Sequence, residues 1–130
     1  MVLQVIRLGT ARRAGEGTRI GTVRRPPRGV PKAQFAAQNW YDVWFPELAP
    51  SSDLMKLGQA ADTPAKWAAF VKKYTTEMAA PEAAHAIRLL ASLSKTGHFS
   101  VGCYCADEAH CHRSVLKALL VENGAALGSG

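Results

Sequence analysis

Thr63-Pro64 sets a capping hydroxyl directly before a proline at the first helical position, and this punctuation commits the following residues to helix. Trp67, Phe70, Val71, Tyr74 and Met78 then recur on one helical face, so a helix over residues 64–79 needs a partner layer to cover it. Pro81 interrupts, and Ala83, Ala86, Ile87, Leu90 and Leu93 mark a second helix to about Lys95, with Gly97 expected to end it in a left-handed cap. Ser51 or Ser52 caps a short helix ending near Gly58, and Val115, Leu116, Leu119 and Leu120 define a last helix from about Cys111 to Glu122. Strand-like runs are few, at residues 2–8, 19–24 and 98–104. Strands separated by helices read as a parallel sheet with helices packed on it. The expectation is a small single-domain α/β fold with a short, mainly parallel sheet flanked by helices. One domain spans residues 1–130, with an ordered core of about 3–122 and a frayed tail over 125–130.

Between the second strand and the first clear helix the pattern loses its period. Arg25-Pro26-Pro27-Arg28-Gly29 stops regular structure, because two prolines remove two backbone donors. A short helix fits Pro31 to Gln38, and the aromatic stretch Asn39 to Pro50 reads as an irregular, partly buried segment.

Charge is unevenly distributed. Residues 1–32 carry eight basic side chains against the single acid Glu16, whereas the remaining residues carry eight basic and nine acidic ones. The net charge of +6 therefore resides in the N-terminal quarter. Seven of those eight cations are arginine, whose planar fork suits phosphate or carboxylate. Arg12 and Arg13 read as solvated surface. No apolar run approaches the ~18 residues of a membrane span, so no membrane partner is expected. All three cysteines lie between Cys103 and Cys111, which fits a reducing, cytoplasmic setting better than a disulfide framework.

That thiol cluster is the most informative stretch. Val101-Gly-Cys-Tyr-Cys-Ala-Asp-Glu-Ala-His-Cys-His-Arg reads as a strand, a loop and a helix start. In open parallel sheets ligands sit beyond the carboxyl ends of the strands, and a helix N-terminus there favours anions. A thiol beside Arg113, His112 and that helix end would be acidified into a nucleophile. A metal set of cysteines and histidine is a second reading, but Cys-x-Cys-x5-Cys-His is not a regular zinc spacing, and no cofactor is expected. A phosphatase-type loop needs Cys-x5-Arg; the sixth residue after Cys105 is Cys111, and Arg113 comes two further on. A purely structural reading keeps Cys103 in the core, Cys111 at the helix cap and Arg113 paired with Asp107 or Glu108.

Four ordered motifs carry a resemblance. Residues 19–32 (Arg-Ile-Gly-Thr-Val-Arg-Arg-Pro-Pro-Arg-Gly-Val-Pro-Lys), residues 40–51 (Trp-Tyr-Asp-Val-Trp-Phe-Pro-Glu-Leu-Ala-Pro-Ser), Trp67-x-x-Phe70-x-x-x-Tyr74-x-x-Glu77-Met78 and the Cys-His-Arg helix start are similar to the YeaO-like family of bacterial proteins, domain of unknown function 488. The resemblance covers about residues 3–122. It implies a compact single α/β domain and brings no assigned reaction. Some members have Asp-Arg-x-Trp-Pro-Arg-Gly where this chain has Val23 to Gly29, and Asn-His-Ala where it has Cys111-His112-Arg113.

Loops after parallel strands open on one edge, so Arg24, Arg28, Lys32 and Arg113 are expected to flank a pocket for a phosphate or nucleotide-like anion. Ser51 would add a donor, and Trp44, with Trp40 and Tyr41, a wall. The reading is a small enzyme in which Cys105 or Cys111, with His112, does proton or nucleophilic work. Its alternative is a non-catalytic binding module for an anionic metabolite or a nucleic-acid backbone. No helix-turn-helix, zinc-finger spacing or RNA-binding aromatic motif supports the nucleic-acid branch.

Overall fold

The computed structural model describes residues 2–128. Strands β1 (Leu3–Arg7), β2 (Thr18–Gly21), β3 (Val43–Trp44) and β4 (Phe99–Cys103) form one sheet in the order β1-β4-β2-β3. Every pairing is parallel. Helices α1 (Ser52–Gln59), α2 (Pro64–Met78), α3 (Pro81–Leu93) and α4 (His112–Glu122) complete the α/β domain. Strand β4 is central, and all five of its residues are buried, as a strand hydrogen-bonded on both sides and covered on both faces should be.

Local signals place the helices. The Thr63 hydroxyl accepts from the Lys66 N–H at 3.2 Å, and Ser51 caps α1 by accepting from the Leu54 N–H at 3.3 Å. On α2, Phe70, Tyr74 and Met78 are buried, with Trp67 and Val71 half-buried against the same core. On α4, Val115, Leu116 and Leu120 are buried and Leu119 lies half-buried beside them. A second, smaller apolar cluster joins Ile6, Leu8, Val23, Tyr41, Cys103 and Cys111, mostly where strands end.

Several details depart from the sequence pattern. Ser94 closes α3 in right-handed conformation, and Gly97 is absent from the positive-φ residues, so no left-handed cap forms there. Leu93 is exposed and Ala91 is buried in its stead. The segment 31–38 makes only a 3-10 turn, Lys32–Gln34, and Val43–Trp44 becomes an edge strand because Ile20 and Gly21 offer it a partner. Arg12 is not simply solvated: it binds Asp42 with two nitrogens, at 2.9 and 3.0 Å.

Residues 125–128 are tied by hydrogen bonds to Leu3 and Ser94. The Leu3 N–H donates to Ala126 O at 2.8 Å, the Gly128 N–H to Leu3 O at 2.9 Å, and the Ala126 N–H to Ser94 Oγ at 2.8 Å. The tail therefore extends the sheet beyond β1, with Leu127 bridged to Leu3. The rest of the expected frayed tail, Ser129 and Gly130, lies outside the described residues.

Register aligns the carboxyl ends. Arg7 pairs with Cys103, and Gly21 pairs with both Gly102 and Trp44. The loops after β1, β2 and β4 consequently leave from one edge of the sheet. That edge carries the candidate site.

Candidate functional site at the carboxyl edge of the sheet

Strand β4 ends on Cys103, the chain loops through Tyr104 to His110, and Cys111 stands at the N-cap of α4 in extended conformation. The loop is tied at its far end, where Asp107 accepts from the Ala109 N–H at 3.0 Å and meets His110 Nδ1 at 2.9 Å. This return brings all three thiols together. Cys103 Sγ and Cys105 Sγ are 3.7 Å apart, and Cys111 Sγ lies 3.7 Å from His112 Nδ1. Cys103 and Cys111 are buried, whereas Cys105 is exposed.

His112 is held from both sides of its ring. Its Nε2 lies 2.7 Å from Thr22 O, and a carbonyl can only accept, so Nε2 carries a proton. In the neutral ring that leaves Nδ1 as the acceptor facing Cys111 Sγ. Thr22 is itself fixed, its hydroxyl donating to Gly102 O at 3.0 Å. The Tyr74 ring meets the imidazole edge-to-face at 5.6 Å, so the structural face of α2 reaches the site through one aromatic.

Arg113 is 4% exposed. Its Nη2 donates to Cys105 O at 2.6 Å, and its Nε is buried without a hydrogen-bond partner. It pairs with neither Asp107 nor Glu108. A buried guanidinium with an unmatched N–H favours a nearby anion. Hydrogen bonding with Cys103 and then Cys111, with the charge of Arg113, holds the Cys105 thiol well below the ordinary value. Cys103 shifts oppositely, pushed up first by its hydrogen bond to Cys105, then by Cys111 and by burial. Within the cluster the exposed thiol is the more acidic and the buried Cys103 the less acidic.

Cys103, Cys105 and His112 border a cavity of about 340 Å³ whose other walls include Arg24, Arg25 and Lys56. Arg24 is clamped, Nε donating to Pro50 O at 3.1 Å and Nη2 to Ala49 O at 3.0 Å. The other expected pocket residues lie elsewhere. Arg28 lines a neighbouring cavity of about 390 Å³. Lys32 and Trp44 line a third cavity with Tyr41, and the Trp44 indole N–H donates to Val23 O at 2.7 Å. Ser51 is engaged as a cap and donates its hydroxyl to Glu77 Oε2 at 2.5 Å. The basic side chains and thiols therefore occupy adjacent cavities along the edge in place of the single pocket expected.

Arg25, Lys56 and the carbonyl of Thr22 were not legible as site groups. Arg25 could have been found beside Arg24. Lys56 comes from α1, and nothing in its sequence neighbourhood marks it.

Residues 3–124 match the DUF488-N3a family model, described as the active DUF488-N3 subclade. The chain belongs to the DUF488 family. No curated protein and no solved structure matches it. Among the described residues of this DUF488 domain, no helix is long and apolar enough to cross a membrane.

Cys103, Cys111 and His112 place one ligand atom each within 4.8 Å of one another, and this set could hold a soft cation. Two features favour a hydrogen-bonded thiol–imidazole group over a ligand set. Nδ1 already faces the Cys111 thiol, and Arg113 adds positive charge beside Cys105. Elemental analysis of protein purified without chelator is expected to give well under one zinc per chain. A value near one would make these residues a metal site.

Proposed function

We propose that this protein is a thiol-dependent enzyme acting on an anionic substrate, with Cys105 as nucleophile. The observation that carries the reading is the position of the exposed Cys105 on a cavity bordered by Arg24, Arg25 and Lys56, with two thiols and Arg113 stabilising its thiolate. The cations would hold a phosphate- or carboxylate-bearing substrate, and the sulfur would attack an electrophilic centre on it. A bond from Cys105 Sγ to that centre forms as the bond to the leaving group breaks, the leaving group departing with the electron pair. Cys103 donates to the thiolate, and the single proton of Cys111 goes to His112 Nδ1. His112, fixed through Thr22 O, orients Cys111. The description of the matching family as an active subclade favours catalysis over the binding-module reading.

The test is alkylation by iodoacetamide followed by peptide mass spectrometry. An ordinary thiol of pKa about 8.5 is only about 0.3% thiolate at pH 6. A lowered pKa keeps the thiolate present as pH falls, so Cys105 should label at pH 6 nearly as fast as at pH 8. Cys103 and Cys111 should remain unlabelled in the folded protein. Arg113→Met should move the Cys105 profile to higher pH. If Cys105 at pH 6 reacts no faster than free cysteine, the nucleophile is lost, and the anion-binding module becomes the better reading.

A further inference from the structure

The cavity next to the thiols carries its own chemistry. Arg7, Arg28, Trp40 and Tyr104 line it, and Tyr104 also lines the thiol cavity, so one aromatic residue separates the two. That wall is pinned from several sides. The Tyr104 hydroxyl donates to Arg25 O at 2.9 Å, Arg7 Nε donates to Tyr104 O at 3.3 Å, and Trp40 stands edge-on to the ring at 5.7 Å. Gly9, at φ 89°, lies so close to the indole that a Cβ there would come within 2.7 Å of it. Neither cavity is lined by a carboxylate among the described residues. The other N-terminal arginines differ: Arg12 and Arg19 are paired with Asp42 and Glu16, whereas Arg7, Arg24, Arg25 and Arg28 have no acidic partner among the described residues. Five cations without an acidic partner among the described residues, Arg7, Arg24, Arg25, Arg28 and Lys56, therefore line two adjoining cavities, one bearing the exposed thiol of Cys105 and the other the rings of Trp40 and Tyr104.

Aromatic rings beside arginines are how proteins hold a planar base next to a phosphate. We infer that the Trp40–Tyr104 cavity binds the base of a nucleotide, free or as one unit of a single strand, with its phosphate toward Arg25 and Arg28 and its reacting group toward Cys105. This rests on the thiol-enzyme reading for the orientation of the ligand, but not for the base site itself.

The experiment is isothermal titration of the full chain with nucleoside monophosphates, ribose 5-phosphate, inorganic phosphate and ten-nucleotide single strands, repeated with Trp40→Leu and Arg28→Gln. Monophosphates should bind at least about tenfold more tightly than ribose 5-phosphate, since base stacking on an aromatic commonly contributes 5- to 150-fold. Trp40→Leu should erase that preference while leaving binding of inorganic phosphate unchanged. Arg28→Gln, at an exposed position that should not perturb folding, should weaken every phosphate-bearing ligand. Tighter binding of the strands with a steep salt dependence would identify a polymer as the source, and equal binding a free nucleotide. Saturating monophosphate should also slow Cys105 alkylation several-fold. Equal affinity for monophosphate and ribose 5-phosphate, or no binding of either, overturns the base site. Base-dependent binding that leaves Cys105 alkylation unprotected overturns the proposed orientation. Fast alkylation of Cys105 at pH 6 would still uphold the enzyme reading in either case.

Discussion

Glu16→Gln is expected to lower stability by about 3–5 kcal/mol, the cost of stripping the counter-ion from a buried charge. Arg19 is fully buried and Glu16 is 2% exposed. The guanidinium binds both Glu16 carboxylate oxygens and donates to Asn39 O at 2.6 Å and Ala11 O at 3.2 Å. Glu16 Oε2 also accepts from the Arg13 N–H at 3.0 Å. One ion pair therefore fastens both the β1–β2 loop and the turn at Asn39 to β2. Glutamine keeps the shape but leaves the Arg19 charge uncompensated and puts an amide N–H₂ against donors. Urea melts measure the loss, and Glu16→Gln combined with Arg19→Met should recover much of it, since neither charge then remains buried. A single variant within 1 kcal/mol of wild type would show that water reaches the pair.

The same pair sets an acid limb. Burial raises the Glu16 carboxyl, but hydrogen bonds from Arg19 and the Arg13 N–H, with the Arg19 charge, bring it below its ordinary value. For Asp42 burial is likewise outweighed by Arg12 and the Arg19 N–H. A carboxyl with a lowered folded value contributes stability above its unfolded pKa of about 4, lost as pH falls through the folded value. Wild type should therefore destabilise below pH 4, and Glu16→Gln should flatten that limb.

The second large effect belongs to Gly17. Its φ is 67°, and a Cβ there would lie 2.0 Å from the carbonyl oxygen of His98, just before β4. That neighbour is backbone of the central strand and cannot step aside without breaking the pairing of Thr18 with Phe99. Gly17→Ala should cost about 3 kcal/mol or more, combining left-handed strain with forced overpacking. Gly15 provides the control. It has φ 78° and nothing within 4 Å of an added Cβ, so Gly15→Ala carries conformational strain alone, about 1–2 kcal/mol. Equal losses in the two variants would mean that β2 can slide from β4.

Much of the local structure was legible because its causes are local. Thr63, Pro64, Ser51 and Pro81 punctuate the helices within a few residues of where they act, and the period of Trp67 to Met78 needs no knowledge of its partner layer. Apolar runs located β1, β2 and β4, and that β1 and β2 lie parallel to β4 followed from the helices that separate them from it. The thiol cluster was visible as a motif for the same reason, since Cys103 to Arg113 is one strand–loop–helix unit.

Pairing over long sequence separations was not legible. The order β1-β4-β2-β3 inserts the last strand between the first two, and the edge strand Val43–Trp44 exists only because β2 offers hydrogen bonds to it. Identical arginines met different fates for the same reason. Arg19 and Arg12 found Glu16 and Asp42, Arg24 found the carbonyls of Ala49 and Pro50, and Arg28 was left open at a cavity. Residue type alone determined that the N-terminal quarter would be basic. Which cations find an acidic partner, and that Arg24, Arg25 and Lys56 share a cavity with the exposed thiol of Cys105, was decided by the fold, because a charge acts through its distance to the next charge and chain separation does not measure that distance.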